Sequence, residues 1–405
     1  MTIQYPGGFI TKSPPTVVGP TNGEGGSAPG VWTLDQAMGY VKQGLWPKPI
    51  LPKQLWSWGY NAYGQLGLGN TTNYSSPVQV GALTTWSQIA VGRVHTIAAK
   101  NDGTLWGWGI NSEGELGLGN TISYSSPKQV GVLTNWYQVA AGSYHSVAIK
   151  TDGTLWSWGY NIFGQLGLGN TTYYSSPKQV GVLTTWYQIA CGDNHTLATK
   201  TDGTLWAWGQ NSYGRLGDDS MTNRSSPVQV GALTNWSKIT AGYQFSLAIK
   251  TDGTLWSWGR NNYGQLGLVN ITNYQSPVQV GALTNWLSVS CGNYHTIAVK
   301  TDGTLWGWGY NLYGQLGVSN SSYYSSPKQV GILTTWSKNS VSNQSSFAIK
   351  TNGTLWAWGY NSTFGTLGIG DTVSRNSPVQ VGALTTWFSL AKMPMSSATL
   401  AIKTP

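Results

Sequence analysis

Trp-x-Trp-Gly begins at Trp56, Trp106, Trp156, Trp206, Trp256, Trp306 and Trp356, a spacing of 50 residues at every step. Self-similarity at that period excludes an ordinary single-core domain. Each unit is too small to bury its own apolar face and must stack on its neighbours, as in a propeller or a solenoid. Around each motif the chain reads alike, and Lys150 to Gly159 is representative: Lys-Thr-Asp-Gly-Thr-Leu-Trp-Ser-Trp-Gly. One strand ends at Lys150, Asp152-Gly153 turns the chain, and a second strand runs through Trp156 and Trp158. Asp-Gly between alternating apolar runs signals a tight hairpin and predicts φ > 0 at both residues.

The rest of the unit supplies two more strands. After Gly59 comes a Gly-rich connection, then Ser76-Pro-Val-Gln-Val80, whose proline suits an outer edge strand that needs no ladder donor there. Gln88 to Gly92 is a run of small residues, and His95 to Lys100 leads into the next turn. Four short strands in each of seven units predict an all-β fold, a seven-bladed β-propeller of four-stranded antiparallel blades over residues 51–405. The first unit starts in mid-blade, and the last ends on Ser397-Ala-Thr-Leu-Ala-Ile-Lys403, the strand that elsewhere precedes Trp-x-Trp-Gly. The two terminal strands are therefore expected to pair and close the ring, removing two sheet edges.

Residues 1–50 differ in character and are expected to form an extended anchoring arm, rich in Pro and Gly up to Gly30. A short helix is predicted over about 33–43, with Thr33 and Gln36 as a capping box, Gly44 as its stop and Pro47 beyond. Val31, Trp32, Leu34, Met38, Val41 and Trp46 are the candidate docking residues of this arm, because a lone short helix with an apolar stripe must cover that stripe on something.

Charged residues make up only 9% of the chain and the formal charge is +9. Lys100, Lys150, Lys200, Lys250, Lys300, Lys350 and Lys403 share one repeat position, and the first five are followed two residues later by a turn aspartate. This ring is expected to be largely neutralised where it stands, and no block of like charge appears, so no nucleic-acid partner is expected. No apolar run approaches the length of a membrane span, so membrane insertion is not expected. Met1 to Gly8 has neither the basic start nor the apolar core of a signal peptide. Cys191 and Cys291 fall in non-adjacent units, which predicts two free core thiols rather than a disulfide.

Gly142 to Gly167 reads Gly-Ser-Tyr-His-Ser-Val-Ala-Ile-Lys-Thr-Asp-Gly-Thr-Leu-Trp-Ser-Trp-Gly-Tyr-Asn-Ile-Phe-Gly-Gln-Leu-Gly. This run resembles the repeat of the regulator of chromosome condensation family, and the resemblance extends over about 350 of the 405 residues. It implies the seven-bladed fold. Guanine-nucleotide exchange on a small GTPase, the family's founding activity, depends on a protruding insertion in one blade. Six units here are 50 residues long and the seventh gains only about three, so exchange is not expected. The Gly-Trp-Arg-His-Thr run of light-sensing members is absent as well. A second resemblance lies in the arm: Gly30-Val-Trp-Thr-Leu-Asp-Gln followed by Gly44-Leu-Trp-Pro47 is similar to a segment near the start of tailed-phage structural and appendage proteins.

Chemistry-bearing constellations are scarce. His95, His145, His195 and His295 occupy one slot in separate units, so they do not converge as metal ligands and are expected to bond a nearby turn. Gly64-Gln-Leu-Gly-Leu-Gly69 looks like a phosphate loop but is followed by neither a helix nor Lys-Ser/Thr. Asp218-Asp219 replaces Leu-Gly and reads as a solvated loop. No catalytic residue, cofactor or metal ligand is assigned. The units differ most at two connections that an up-and-down blade places on one face. That face is the candidate partner surface: Tyr60, Tyr63, Arg93, Tyr144, Tyr160, Asn194, Tyr243, Arg260, Tyr294 and Tyr310.

The expected function is a non-enzymatic structural or appendage protein of a phage virion, its arm docking on other virion proteins and its propeller displayed toward a host surface glycan or protein. An intracellular (cytoplasmic) interaction scaffold and a glycan-binding lectin are the alternatives, and an oligomer is compatible with each.

Overall fold

The computed structural model describes residues 53–404, apart from 83, 84, 362 and 393. The predicted helix and docking residues of the arm lie outside these. The first strands are β1 (Gln54–Gly59), β2 (Tyr74–Gln79), β3 (Trp86–Val91), β4 (His95–Lys100), β5 (Leu105–Gly109) and β6 (Tyr124–Gln129), and the last two are β27 (Trp387–Leu390) and β28 (Ala398–Lys403). Blade 1 is the sheet β3-β4-β5-β6, and five more blades of four antiparallel strands follow in the same order. Blade 7 has the order β2-β1-β28-β27, with β1 paired antiparallel to β28 from Gln54↔Lys403 to Gly59↔Ala398. The chain ends thus complete one sheet, as their partial sequences require. The Ser-Pro strand is outermost in every blade, where its proline interrupts no ladder.

The hairpins depart from the two-residue turn. Gly103 N donates to Lys100 O and Lys100 N to Thr104 O, both at 3.0 Å, so three residues form the loop. Gly103 has φ +76°, while Asp102 is not among the positive-φ residues. A type I turn followed by one left-handed glycine gives the same Asp-Gly signature as a two-residue turn. Asp102 contributes through its carboxylate, which accepts from Thr104 N at 2.9 Å and Thr104 Oγ1 at 2.6 Å.

Tryptophan fills the spaces between blades. Trp108 is fully buried and its Nε1 donates to Gln65 O in the preceding blade at 2.9 Å. Trp86 meets Trp108 edge-on, with ring centroids 5.8 Å apart. The carbonyl of Gln65 also accepts Thr96 Oγ1 at 2.9 Å. The same pair of bonds converges on Thr366 O from Trp58 and Thr399, so the closing junction is built like the one at Gln65.

Candidate functional site

The two variable connections of each unit do share a face, and hydrogen bonds hold them together. Tyr160 N donates to Tyr144 O, Arg260 N to Gln244 O and Tyr310 N to Tyr294 O, each at 2.9 Å. Around the rim the inner turns bond sideways as well, Ser143 N to Asp193 O at 3.1 Å and Asn293 N to Asn343 O at 3.1 Å. The loops of this face are therefore spaced by the blades beneath them.

Of the predicted residues, Tyr243, Arg260, Tyr294 and Tyr310 come together. The Arg260 guanidinium lies 5.4 Å from the Tyr294 ring centre and 5.2 Å from that of Tyr213. Tyr243 meets Tyr294 at 5.7 Å, Tyr263 meets both Tyr294 and Tyr310 at 5.1 Å, and Tyr310 meets Tyr323 at 4.7 Å. Tyr313 carries the arc on to Tyr360 at 4.6 Å. Most of these rings are half-buried, so an amphipathic surface follows blades 3 to 6. Two smaller groups stand apart: Arg93 over Tyr144, which meets Tyr160, and Tyr60 with Tyr63 and Phe364. Asn194 is occupied internally, since its Nδ2 donates to Asp193 Oδ2 at 2.8 Å. Tyr213, Tyr263, Tyr313 and Tyr323 join the arc from outside the predicted set, although they recur at fixed offsets after Trp-x-Trp-Gly.

Beneath this face lies a buried polar layer. Glu115 stands where Gln65, Gln165, Gln265 and Gln315 stand in other blades, is fully buried, and leaves Oε1 without a partner. Burial pushes its pKa up to about 7. Arg215, at the same slot, is also fully buried, and burial brings its pKa down to about 10 against the opposing charge of Asp193. Asp193 is raised by burial despite accepting from Ser143 Oγ at 2.5 Å.

Several expectations are corrected. The histidines bond the next blade rather than a turn: His95 Nε2 lies 2.9 Å from Ser146 Oγ and His195 Nε2 lies 3.0 Å from Ser246 Oγ. Burial drives His95, His145 and His295 down to about 3, leaving neutral rings. The His95 ring packs so closely on Gly92 that a Cβ there would sit 2.3 Å from Cε1, which explains Gly-x-x-His; where Ser345 replaces the histidine, Ser342 replaces the glycine. The repeat lysines contact indoles instead of carboxylates, with Lys100 Nζ 3.6 Å above the Trp106 ring while the Asp102 charge acts on it only through space. Asp218 is not a solvated loop residue: it pairs with Arg224 at 2.8 Å and accepts from Asn211 Nδ2 at 2.9 Å. The phosphate-loop lookalike is a packing device, since a Cβ on Gly67 would sit 2.7 Å from Trp108 Nε1. Among the described residues no three His, Cys, Asp or Glu side chains converge as metal ligands. Cys191 and Cys291 are free and buried.

Blade number, the shared closing blade, a hydroxyl bond at each junction and an indole bond at all but the Gln315 junction define a repeat propeller built from one unit. The sequence matches the RCC1-like domain over residues 185–393 and the regulator of chromosome condensation (RCC1) repeat over 54–99, 102–149 and 152–199. The chain belongs to this family. Human WBSCR16 superimposes with a TM-score of 0.77 at 22% identity, covering 87% of this chain and 99% of its own. Prp20p of Saccharomyces cerevisiae, characterised with its binding to Gsp1p and histones, superimposes with a TM-score of 0.78 at 21% identity, covering 88% and 92%. The same yeast RCC1 bound to Kap60 gives a TM-score of 0.77 at 20% identity, covering 88% and 89%. These likenesses establish the shared fold.

Proposed function

We propose that this protein is a non-enzymatic interaction propeller that engages a protein partner through its tyrosine-rich face. The observation that carries this reading is the arc from Tyr213 through Arg260, Tyr294 and Tyr310 to Tyr323, in which aromatic rings and a guanidinium are packed against each other before any partner arrives. Tyrosine and arginine are the residues most enriched where binding energy concentrates, and rings already held by their neighbours lose little freedom on binding. The yeast propeller's binding to Gsp1p, histones and Kap60 supports protein recognition as the class of activity. The test is co-purification at defined stoichiometry. Wild-type protein is expected to retain one partner through high-salt washing, and Tyr294→Ala with Tyr310→Ala is expected to lose it while keeping the wild-type melting temperature. Equal retention by the double variant refutes the assignment.

A second reading rests on the arm, whose Gly30-Val-Trp-Thr-Leu-Asp-Gln resembles phage structural proteins. In it the propeller is displayed on a virion, with the arm docked through Trp32, Leu34 and Trp46. Mass spectrometry of purified particles tests it: a fixed ratio to the major capsid protein supports a virion component, and absence from particles rejects it.

A further inference from the structure

The innermost strands enclose a central channel of about 460 Å³. Among the described residues three lysines line it, Lys238, Lys338 and Lys392, and no aspartate or glutamate does. Each retains exposed surface. Lys392 stands on blade 7 at the repeat position that Val91, Cys191 and Cys291 fill in other blades. It crosses the channel, its Nζ 3.3 Å from Ile189 O on blade 3. Lys238 Nζ donates to Leu287 O and Lys338 Nζ to Phe388 O, each on the following blade. An ammonium has three N–H groups, and these bonds use one on each lysine.

Among the described residues no carboxylate pairs with these lysines, and Lys338 Nζ also lies 4.3 Å from the centre of the Phe388 ring. The two ion pairs that join described residues are Arg224–Asp218 and Arg375–Asp371, and neither reaches the channel. Desolvation lowers the pKa of all three lysines, and the Lys53 charge lowers Lys338 further. Like charges in a concave, low-dielectric wall concentrate the field and attract counter-ions. The hydroxyls of Thr240, Ser288 and Ser340 add polar groups to the same wall.

We propose that the central channel is a binding site for a small multivalent oxyanion, held by Lys238, Lys338 and Lys392. The volume suits a small ligand, and lysine binds phosphate as a point charge without demanding bidentate geometry. The site is separate from the tyrosine face and does not depend on it.

Titration calorimetry of the full chain with inorganic triphosphate at low salt tests the proposal. One site per chain is expected, weakening steeply as salt rises. Lys392→Met, and Lys238→Met with Lys338→Met, are each expected to weaken binding at least about tenfold. Lys128→Met with Lys178→Met, on outer strands, is expected to leave it unchanged. Citrate as competitor separates the sources: displacement defines a general oxyanion site, and failure to displace restricts it to phosphates. Lys392→Arg keeps the charge and should keep binding, which guards against a variant that merely misfolds. Wild-type crystals soaked in selenate supply an independent readout, with an anomalous peak expected in the channel. No heat at millimolar triphosphate, undiminished binding by the lysine variants, or selenate at outer lysines alone would overturn the assignment.

Discussion

His95 Nε2 lies 2.9 Å from Ser146 Oγ, and that hydroxyl passes its own hydrogen to Glu115 O at 2.8 Å. The imidazole and the carbonyl belong to blade 1, the serine to blade 2. Trp158 Nε1, also from blade 2, meets the same carbonyl at 2.8 Å. Because the serine proton is committed to the carbonyl, the histidine must be the donor, which fixes its tautomer. The unit repeats as His145–Thr196, His195–Ser246 and His295–Ser346. Ser146→Ala should strand a buried imidazole N–H and cost about 1–3 kcal/mol. Urea unfolding should show a lower midpoint with an unchanged slope.

The same histidines make stability depend on pH. Their folded pKa, about 3 for His95, His145 and His295, lies below the ordinary value of 6.5. As pH falls through 6.5 the unfolded chain takes up protons that the folded chain refuses. Stability contributed by the neutral rings is therefore complete above that pH and is lost progressively on the way down to about 3, by up to roughly 1.4 kcal/mol per pH unit for each histidine. Chemical denaturation between pH 7 and pH 4 should show the loss, and His95→Phe, which mimics the Phe245 blade, should make it shallower.

Glu115 works in the opposite sense. Its folded pKa of about 7 exceeds the ordinary 4.5, so the folded chain holds this proton more tightly. Stability from the protonated form is full below about pH 4.5 and is lost as pH rises through 7. Glu115→Gln installs the residue that four other blades carry there. It should add about 2–3 kcal/mol at pH 8 and almost nothing at pH 4, a difference that paired denaturant titrations would resolve.

Ring closure predicts a further outcome. β28 is the sole link between β1 and β27 in blade 7. A chain ending at Ser397 leaves the full length of β1 as an open edge. Loss of the cooperative melting transition and a shift to high-mass species in size-exclusion chromatography are expected.

Much of this fold was legible because it is written locally. The Trp-x-Trp-Gly period counts the blades, Pro77 and its counterparts mark the outer strands, and the incomplete first and last units state how the ring closes. The loop length at Asp102-Gly103 is not legible locally, because two- and three-residue turns share that dipeptide. The histidine partners are hidden in the sequence although each His is followed by the Ser or Thr that serves the preceding blade, a relation 51 residues long that only stacking makes a contact. Lys100 was matched to Asp102 by proximity in sequence, whereas strand pairing lays it over Trp106. The tyrosine arc was legible only in part, since Tyr263 and Tyr310 meet across a blade boundary. The lysines of the channel carried no local signal at all, because Lys238, Lys338 and Lys392 are brought together by closure of the ring.

The opposite face sharpens the decisive test. It exposes its own apolar residues, with Val132, Val182 and Ile332 between 86 and 89% accessible. Site-specific photo-crosslinking from both faces in the native extract therefore measures the central claim most directly. A photoreactive residue at Tyr294 or Tyr310 should give one stoichiometric protein adduct that Arg260→Ala diminishes, and the same probe at Val132 or Ile332 should give none. Adducts from Val132 and Ile332, with none from Tyr294 or Tyr310, would contradict the account.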